Sequence, residues 1–161
     1  MTWDDFRDRL GRTLPRITGR CCLIISAADG GGYVQFAGTE DALSAEAAGP
    51  GFVTGAAAHT ADDPAMLDAG WKPPTPSAPN WSTALELPAL TGEYAALADR
   101  CATALRDAHC VADPGTLTYQ AWRDPELQPA GVTWAPERFA QLDPGENPLL
   151  LPTLGLEPQA A

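Results

Sequence analysis

The sequence predicts an α+β domain whose helices cover one face of an antiparallel β-sheet. Three patterns predict this fold: a β-hairpin at residues 20–38, alternating strands at 43–47 and 83–87, and apolar residues at helical spacing over 3–14 and 91–109. Taken in order, the predicted elements run α-β-β-β-α-β-β-α. The chain has 161 residues, which suits one domain with a terminal extension and a core that needs no disulfides.

The first helix is predicted by its cap and by its apolar spacing. Thr2 can cap the first turn, where two aspartates favour the positive end of the helix dipole. Phe6 and Leu10 fall on one face of this helix, and Pro15 ends it.

A β-hairpin and a third strand are predicted next. Residues 20–27 form an apolar run of strand-forming residues, and residues 33–36 alternate as the returning strand. Residues 29–32 read Asp-Gly-Gly-Gly, but no Lys-Ser/Thr and no helix follow, so this run is interpreted as a turn and not as a phosphate loop. Residues 43–47 alternate as a third strand, which residues 52–53 could extend.

The middle of the chain predicts a short helix and a further strand. Asp62 or Asp63 can cap a helix that has Pro64 near its first position. Residues 71–79 are rich in proline, which confines them to a sheet edge or a loop. Residues 83–87 alternate as the next strand.

The clearest helix is predicted over residues 91–109. Its inward face would carry the apolar or small residues Tyr94, Leu97, Ala98, Cys101, Leu105 and Ala108. Pro114 is then expected to begin one or two further helical turns with Leu117, Ala121 and Trp122.

The composition changes after Arg123, so we divide the chain into a domain at 1–123 and an acidic, proline-rich, extended tail at 124–161. The tail carries Trp134, Phe139 and the apolar run at 149–152. Two hypotheses stay open for it. Either it packs back over the domain or a dimer mate and competes for a client surface, or it is a solvated linker or a structural strap.

Charge and hydropathy exclude several classes of partner. The formal net charge is −11 and the pI is near 4.3, which repels nucleic-acid backbones and anionic membrane surfaces. The apolar runs are far shorter than a membrane-spanning helix needs. The first residues lack the layout of a signal peptide, so a cytoplasmic location is expected.

The sequence offers no residues for a catalytic or metal site. The four cysteines and the two histidines lack zinc-ligand spacing, so no metal and no cofactor is expected. Cys110 follows His109, but neighbours on a helix point about 100° apart, so we interpret His109 as a helix-end histidine favoured by the C-terminal dipole. Trp71, Trp81 and Trp122 are interpreted as sealing the sheet edge against the helices, with ligand stacking as the alternative.

Three segments of the chain, in their order and spacing, resemble the TY-Chap group, the type III secretion chaperone-like and YbjN-like peptide-binding chaperones of actinobacteria. They are Trp3-Asp-Asp-Phe-Arg-Asp-Arg-Leu10 with the hairpin strand Tyr33-Val-Gln-Phe36; Leu67-Asp-Ala-Gly-Trp71-Lys-Pro-Pro74 with Pro79-Asn-Trp81; and Tyr94-Ala-Ala-Leu-Ala98 with Leu105-Arg-Asp107, Pro114-Gly-Thr-Leu-Thr-Tyr119 and Ala121-Trp122. The likeness covers about residues 2–123, and residues 49–60 and the tail depart from it.

The resemblance implies a fold like that of the secretion chaperones and a homodimer. It also implies a non-enzymatic role in which an extended client polypeptide, such as a secreted or effector protein, is held on a sheet surface. An antiparallel sheet with helices on one face leaves another face or an edge for such a segment.

Five residues are candidates for contact with a client, because the predicted strands place them at exposed-face or edge positions: Tyr33, Phe36, Leu43, Phe52 and Val53. Each could equally be an ordinary core residue. Two alternative functions also stay open: a regulatory subunit that binds one folded partner, and an enzyme whose site has no recognised motif.

Overall fold

The computed structural model has an α+β fold, as the sequence predicts. It describes residues 1–160, excepting the side chains of Asp29 and Ala56. The four helices are α1 (Trp3–Thr13), α2 (Pro64–Asp68), α3 (Thr91–Thr103) and α4 (Pro136–Phe139). The six strands are β1 (Cys21–Ser26), β2 (Tyr33–Gly38), β3 (Ala42–Ala47), β4 (Trp81–Glu86), β5 (Thr118–Arg123) and β6 (Glu157–Pro158). A π-helical turn at Ala104–Ala108 continues α3.

The strands form one sheet in the order β4-β3-β2-β1-β5-β6. All neighbours are antiparallel except β5 and β6, which are parallel. The short β1–β2 connection makes the predicted hairpin, with Leu23 opposite Phe36 and Ile25 opposite Val34. The long helix lies between β4 and β5 in the chain, and β5 pairs with β1 on the side of the sheet away from β4.

Both long helices cover one face of the sheet. Alternate strand residues point toward them and are buried together with Phe6 and Leu10 of α1, Leu97 of α3 and Leu105 of the π-helical turn. The predicted caps form as well. Thr2 makes a capping box with Asp5, and Asp63 accepts hydrogen bonds at the start of α2.

Pro114 begins one 3-10 turn, Pro114–Thr116, but the segment after it differs from the prediction, because it is a strand and not a further helical turn. Residues 118–123 pair with β1 along their whole length. Tyr119 and Ala121 are buried while Gln120 is exposed, which is the two-residue period of a half-buried strand. The observed order is therefore α-β-β-β-α-β-α-β before the tail. Around Trp71 the structure has only an isolated bridge between Lys72 and Ser82 in place of a further strand.

The tail packs against the domain over residues 146–159. Glu146 exchanges two backbone hydrogen bonds with Arg123, and the Leu149 N–H donates to the Ala121 carbonyl at 2.8 Å. Leu151 and Leu154 are 1% and 0% exposed and lie in the same core as α1. The tail thus adds a row of backbone pairing beyond β5 and closes one end of the core, which is the arrangement of a strap and not of a solvated linker.

Residues 124–145 leave the sheet as a surface excursion that contains α4. Its two ends are joined by Asp143, whose carboxylate pairs with Arg123 at 2.7 Å and with Arg20 at 3.0 Å. The hydrogen bond from Arg123 is the main cause that holds the pKa of Asp143 far below its usual value, and a bond from the Gly145 N–H adds to it.

Candidate functional site

The sheet has a second face that the helices do not cover, here called the open face. Cys22, Gln35 and Trp122 are half-buried on it, and Ala37 and Gln120 are exposed. The side chains of this face come from alternate positions of five strands, namely Cys22, Ile24, Gln35, Ala37, Ser44, Glu46, Ser82, Ala84, Gln120 and Trp122.

Strand register arranges these side chains in two rows that run across the sheet. The first row is mainly apolar and contains, in order, Trp122, Cys22, Ala37, Ser44 and Ala84. The second row is mainly polar and contains Gln120, Ile24, Gln35, Glu46 and Ser82. A surface with an apolar row beside a polar row can be hydrated when no ligand is bound. When a ligand binds, the apolar row can bury apolar side chains of that ligand.

Two shallow depressions meet at Trp122. One of about 190 Å³ is lined by residues of both rows, including Cys22, Ile24 and Glu46. The other, of about 350 Å³, lies between β5 and the tail and is lined by Trp122, Gln120, Pro148 and Pro158 among others. Together they form a groove, here called the Trp122 groove, that crosses the open face from β3 to the tail.

Glu46 is held at one end of this groove by amide groups. Its Oε2 accepts hydrogen bonds from the side-chain amides of Gln35 and Asn80, the latter at 3.4 Å. Asn80 in turn accepts from the Tyr33 hydroxyl at 3.2 Å and from the Gly49 N–H at 3.0 Å. This network fixes the carboxylate on the open face and ties the loop after β3 to the start of β4.

The five predicted contact residues are not brought together by the structure. Phe36 and Leu43 are 2% and 0% exposed on the helix-covered face, and Val53 is 5% exposed within the loop after β3, where it clusters with Ala48 and Ala57. The exposure expected of these three side chains is therefore wrong. Strand register turns Phe36 and Leu43 toward the helices, and the loop buries Val53 in its own cluster. Tyr33 is half-buried in the Glu46 network, and Phe52 lies exposed on a 3-10 turn that does not extend β3.

Sequence reasoning missed Trp122 as the residue at which the two depressions of the groove meet, because it placed this residue on a helix. The signal was present in the Thr-Tyr-Gln-Ala-Trp-Arg run, where the strand-forming residues Thr118, Tyr119 and Trp122 stand on both sides of Gln120 and Ala121. Trp71 and Trp81 are buried on the helix-covered side, as predicted, whereas Trp122 is half-buried on the open face and the sealing role predicted for it is wrong. The Trp71 indole donates to the Arg100 carbonyl at 3.2 Å, and Trp81 is fully buried.

Two histidines meet at the end of the sheet near the β1–β2 turn. The rings of His59 and His109 lie 5.2 Å apart. His59 donates from Nδ1 to the Ala57 carbonyl at 2.9 Å and accepts at Nε2 from the Trp81 indole at 3.0 Å, so its neutral form fits both bonds. His109 donates from Nε2 to the Ala48 carbonyl at 3.2 Å. Both rings thus fasten the loop after β3.

His109 ends the helix, as predicted, but burial favours the neutral form of its ring over the charged form that the helix dipole would favour. Its ring is 2% exposed, and its Nδ1 has no hydrogen-bond partner among the described residues. Gly32 has a φ of +100° and packs on this ring so closely that a Cβ there would lie 2.5 Å from Nδ1. Burial is the main cause that lowers the pKa of His109 from 6.5 to about 4, which the bond to Ala48 only partly opposes.

Because the His109 ring is buried, we predict that the folded protein becomes less stable in acid. Between pH 6.5 and about 4 the unfolded chain binds a proton at His109 that the folded chain does not, so stability is fully present above pH 6.5 and falls as the pH drops. The loss amounts to about 3 kcal/mol. Nearby His59 opposes protonation and Asp63 favours it. Urea unfolding at pH 7.5 and pH 4.5 checks this prediction.

The first control is His109→Gln, which keeps a hydrogen-bond donor for the Ala48 carbonyl and removes the ring that titrates. The second is His59→Gln, which makes the same change at the neighbouring histidine. We expect the wild-type protein to lose more stability than His109→Gln over this pH range. Equal pH slopes, or a His109 ring that titrates near pH 6.5 by NMR in the wild-type protein, would contradict the prediction.

No group of three or more histidine, cysteine or acidic side chains in residues 1–160 is placed to hold a metal ion. The cysteines at positions 21, 22, 101 and 110 are free thiols, of which Cys21 and Cys101 are buried. Within the described part of the chain, no helix is long and apolar enough to span a membrane.

The fold and the open face define a class of small α+β proteins in which helices cover one side of an antiparallel sheet and the other side is left for contact. Comparison with family models then gives the particular family. The chain belongs to the TY-Chap3 family, described as T3SS (YopN, CesT) and YbjN peptide-binding chaperone 3, with residues 1–123 matched. The resemblance noted in the sequence is thereby confirmed, and the family implies a peptide-binding, chaperone-like role.

Comparisons with curated proteins and with solved structures found no significant match. The family match ends at residue 123, the last residue of β5. The strap at 146–159 therefore lies outside the matched part of the chain.

Proposed function

We propose that this protein is a non-enzymatic, chaperone-like module that holds an extended segment of a client polypeptide, such as a secreted or effector protein, on its open face. The observation that carries the proposal is the Trp122 groove, which lies on a sheet face without covering helices. The family supports a peptide ligand. The groove offers a surface for such a peptide that does not overlap the hydrophobic core.

The chemistry of the groove supports an extended ligand. Trp122 offers a large flat apolar surface that is already half-buried, so a client side chain can stack on it with little loss of protein side-chain entropy. The small side chains of Ala37 and Ser44 leave the strand surface open beside it. The row of Gln120 and Gln35 provides amides for hydrogen bonds to a client backbone.

A tryptophan substitution tests the proposal. Trp122→Ala should weaken binding of a permanently unfolded polypeptide, such as reduced and carboxymethylated α-lactalbumin, by about tenfold or more, because a central aromatic anchor is lost. Fluorescence anisotropy of the labelled polypeptide measures the affinity. Trp134→Ala is the matched control, since Trp134 lies on the surface excursion beside Phe139. Unchanged affinity in folded Trp122→Ala would overturn the open face as the binding surface.

The proposal includes a homodimer in the cytoplasm. The outer edge of β4 supports the dimer. On that edge the backbone of Ser82 exchanges two hydrogen bonds with Lys72. Because backbone groups alternate in direction along a strand, the N–H and C=O groups of Ala84 and Glu86 also point away from β3, where a second copy of the chain could pair with them. The four free thiols support a reducing compartment. Sedimentation at micromolar protein concentration measures the oligomeric state.

A further inference from the structure

The carboxylate of Glu46, at one end of the Trp122 groove, bears on which client segments the groove can bind. Glu46 is half-buried on the open face, and no Lys or Arg nitrogen among residues 1–160 lies within ion-pair distance of it. Both of its hydrogen bonds come from neutral amides and both reach Oε2. Its Oε1 accepts no hydrogen bond from any described residue, so one carboxylate oxygen is left for a ligand.

The other charges on this face leave the carboxylate uncompensated. Lys72 continues the polar row on the far side of Ser82, with its backbone two strand spacings or about 10 Å from that of Glu46, and its side chain makes no ion pair with Glu46. Glu86 lies on the same face at the exposed end of β4. A partly desolvated anion that neutral amides hold in place is a complement for a cation, because the carboxylate is already oriented before the ligand arrives.

The distance between Trp122 and Glu46 sets the spacing of the ligand. Trp122 is on β5 and Glu46 is on β3, three strand spacings or about 14 Å apart across the sheet, and Glu46 also lies two residues or about 7 Å further along the strands. Their backbones are therefore about 16 Å apart. An extended chain covers about 14 Å in four residues, and the reach of the two side chains covers the rest. Residues four apart in an extended segment point to the same side, so both side chains can face the sheet together.

We infer that the open face selects cationic clients, namely extended segments in which an apolar side chain stacks on Trp122 while a lysine or arginine about four residues away pairs with Glu46. This inference rests on the proposed function, because it assigns a sequence preference to the same groove. Arginine suits the site best, since its fork of donors can reach Oε1 while Gln35 and Asn80 keep Oε2.

Binding of matched peptides tests the inference. The probes are fluorescein-labelled twelve-residue peptides of alternating serine and threonine with two central leucines. Each peptide has the same residue, either arginine, glutamine or glutamate, at two positions, one four residues before the centre and one four residues after it. The peptide can therefore place this residue near Glu46 whichever way its chain runs across the groove. We expect the wild-type protein to bind the arginine peptide about tenfold more tightly than the glutamine peptide, and the glutamate peptide most weakly.

Two isosteric variants identify the source of the preference. Glu46→Gln should bind the arginine and glutamine peptides equally, with the affinity for the glutamine peptide unchanged. Glu86→Gln changes the net charge by the same amount on the same face and should keep the tenfold preference. Peptides that all bind the wild-type protein equally, or a preference that survives in Glu46→Gln, would overturn the inference while the proposed function stands. If no peptide binds at all, the proposed function fails and the inference fails with it.

Discussion

A chain that ends at Arg123 is expected to lose its cooperative fold. Leu149, Leu151 and Leu154 would be removed from the core, where they are 7%, 1% and 0% exposed. Each buried leucine contributes about 2–5 kcal/mol, so the three together approach the whole stability of an ordinary domain, about 5–15 kcal/mol. The truncation also uncovers the outer edge of β5. Circular dichroism during urea or thermal unfolding of the shortened protein measures the effect.

Single substitutions separate the strap from the rest of the tail. Leu151→Ala should cost about 2–5 kcal/mol, whereas Leu150→Ala should cost about 0.5 kcal/mol or less, because Leu150 is 58% exposed beside it. A truncated protein that unfolds at the same denaturant concentration as the full chain would contradict the strap. A folded truncated protein that binds client peptides more tightly would instead support the hypothesis that the tail competes for the client surface.

Trp81→Ala is expected to destabilise the domain by about 3–5 kcal/mol. Trp81 is fully buried, and its indole stands opposite Ala47 between the sheet and the loop after β3. Removal of the ring leaves a large cavity and takes the donor away from His59 Nε2. Urea unfolding at pH 7.5 measures the change in the free energy of unfolding, and hydrogen exchange reports whether residues 48–60 open first.

Two controls accompany this substitution. Trp81→Phe keeps most of the buried apolar volume and loses the N–H, so it should cost less, about 1–3 kcal/mol. Trp122→Ala should change stability little, because that side chain is half-buried on the open face and not in the core. A Trp81→Ala protein within about 1 kcal/mol of wild type would show that the ring does not hold the loop to the sheet.

The two tryptophans illustrate how far local sequence reasoning reaches into the site. Both stand at the ends of strand-like runs, so their spacing alone does not distinguish a core indole from a surface one. Trp81 lies two and four residues from Thr83 and Leu85 on β4, so it points to the same side of the sheet as they do, toward the helices. Trp122 instead pairs with Cys22 on the opposite face. Strand pairing decides the face, and pairing joins residues that are far apart in the chain.

The site residues show the same limit. Phe36 and Leu43 were predicted at positions open to a client because alternation defines two faces but does not say which face the helices cover. Glu46 and Trp122 were not predicted at all. Their combination in one groove depends on the β3-β2-β1-β5 order, which brings residues 46 and 122 onto one surface.

The elements whose signals are local, and the resemblance to the family, can be read from the amino-acid sequence alone. The Thr2 and Asp63 caps, the glycine-rich hairpin turn and the long amphipathic helix all follow from contacts within a few residues. The folded structure, and not the local sequence, makes residues 118–123 a strand, since β1 supplies their hydrogen-bond partners. It also decided that the proline-rich tail enters the core, because a segment without periodicity gains its stability from surfaces that the rest of the chain builds.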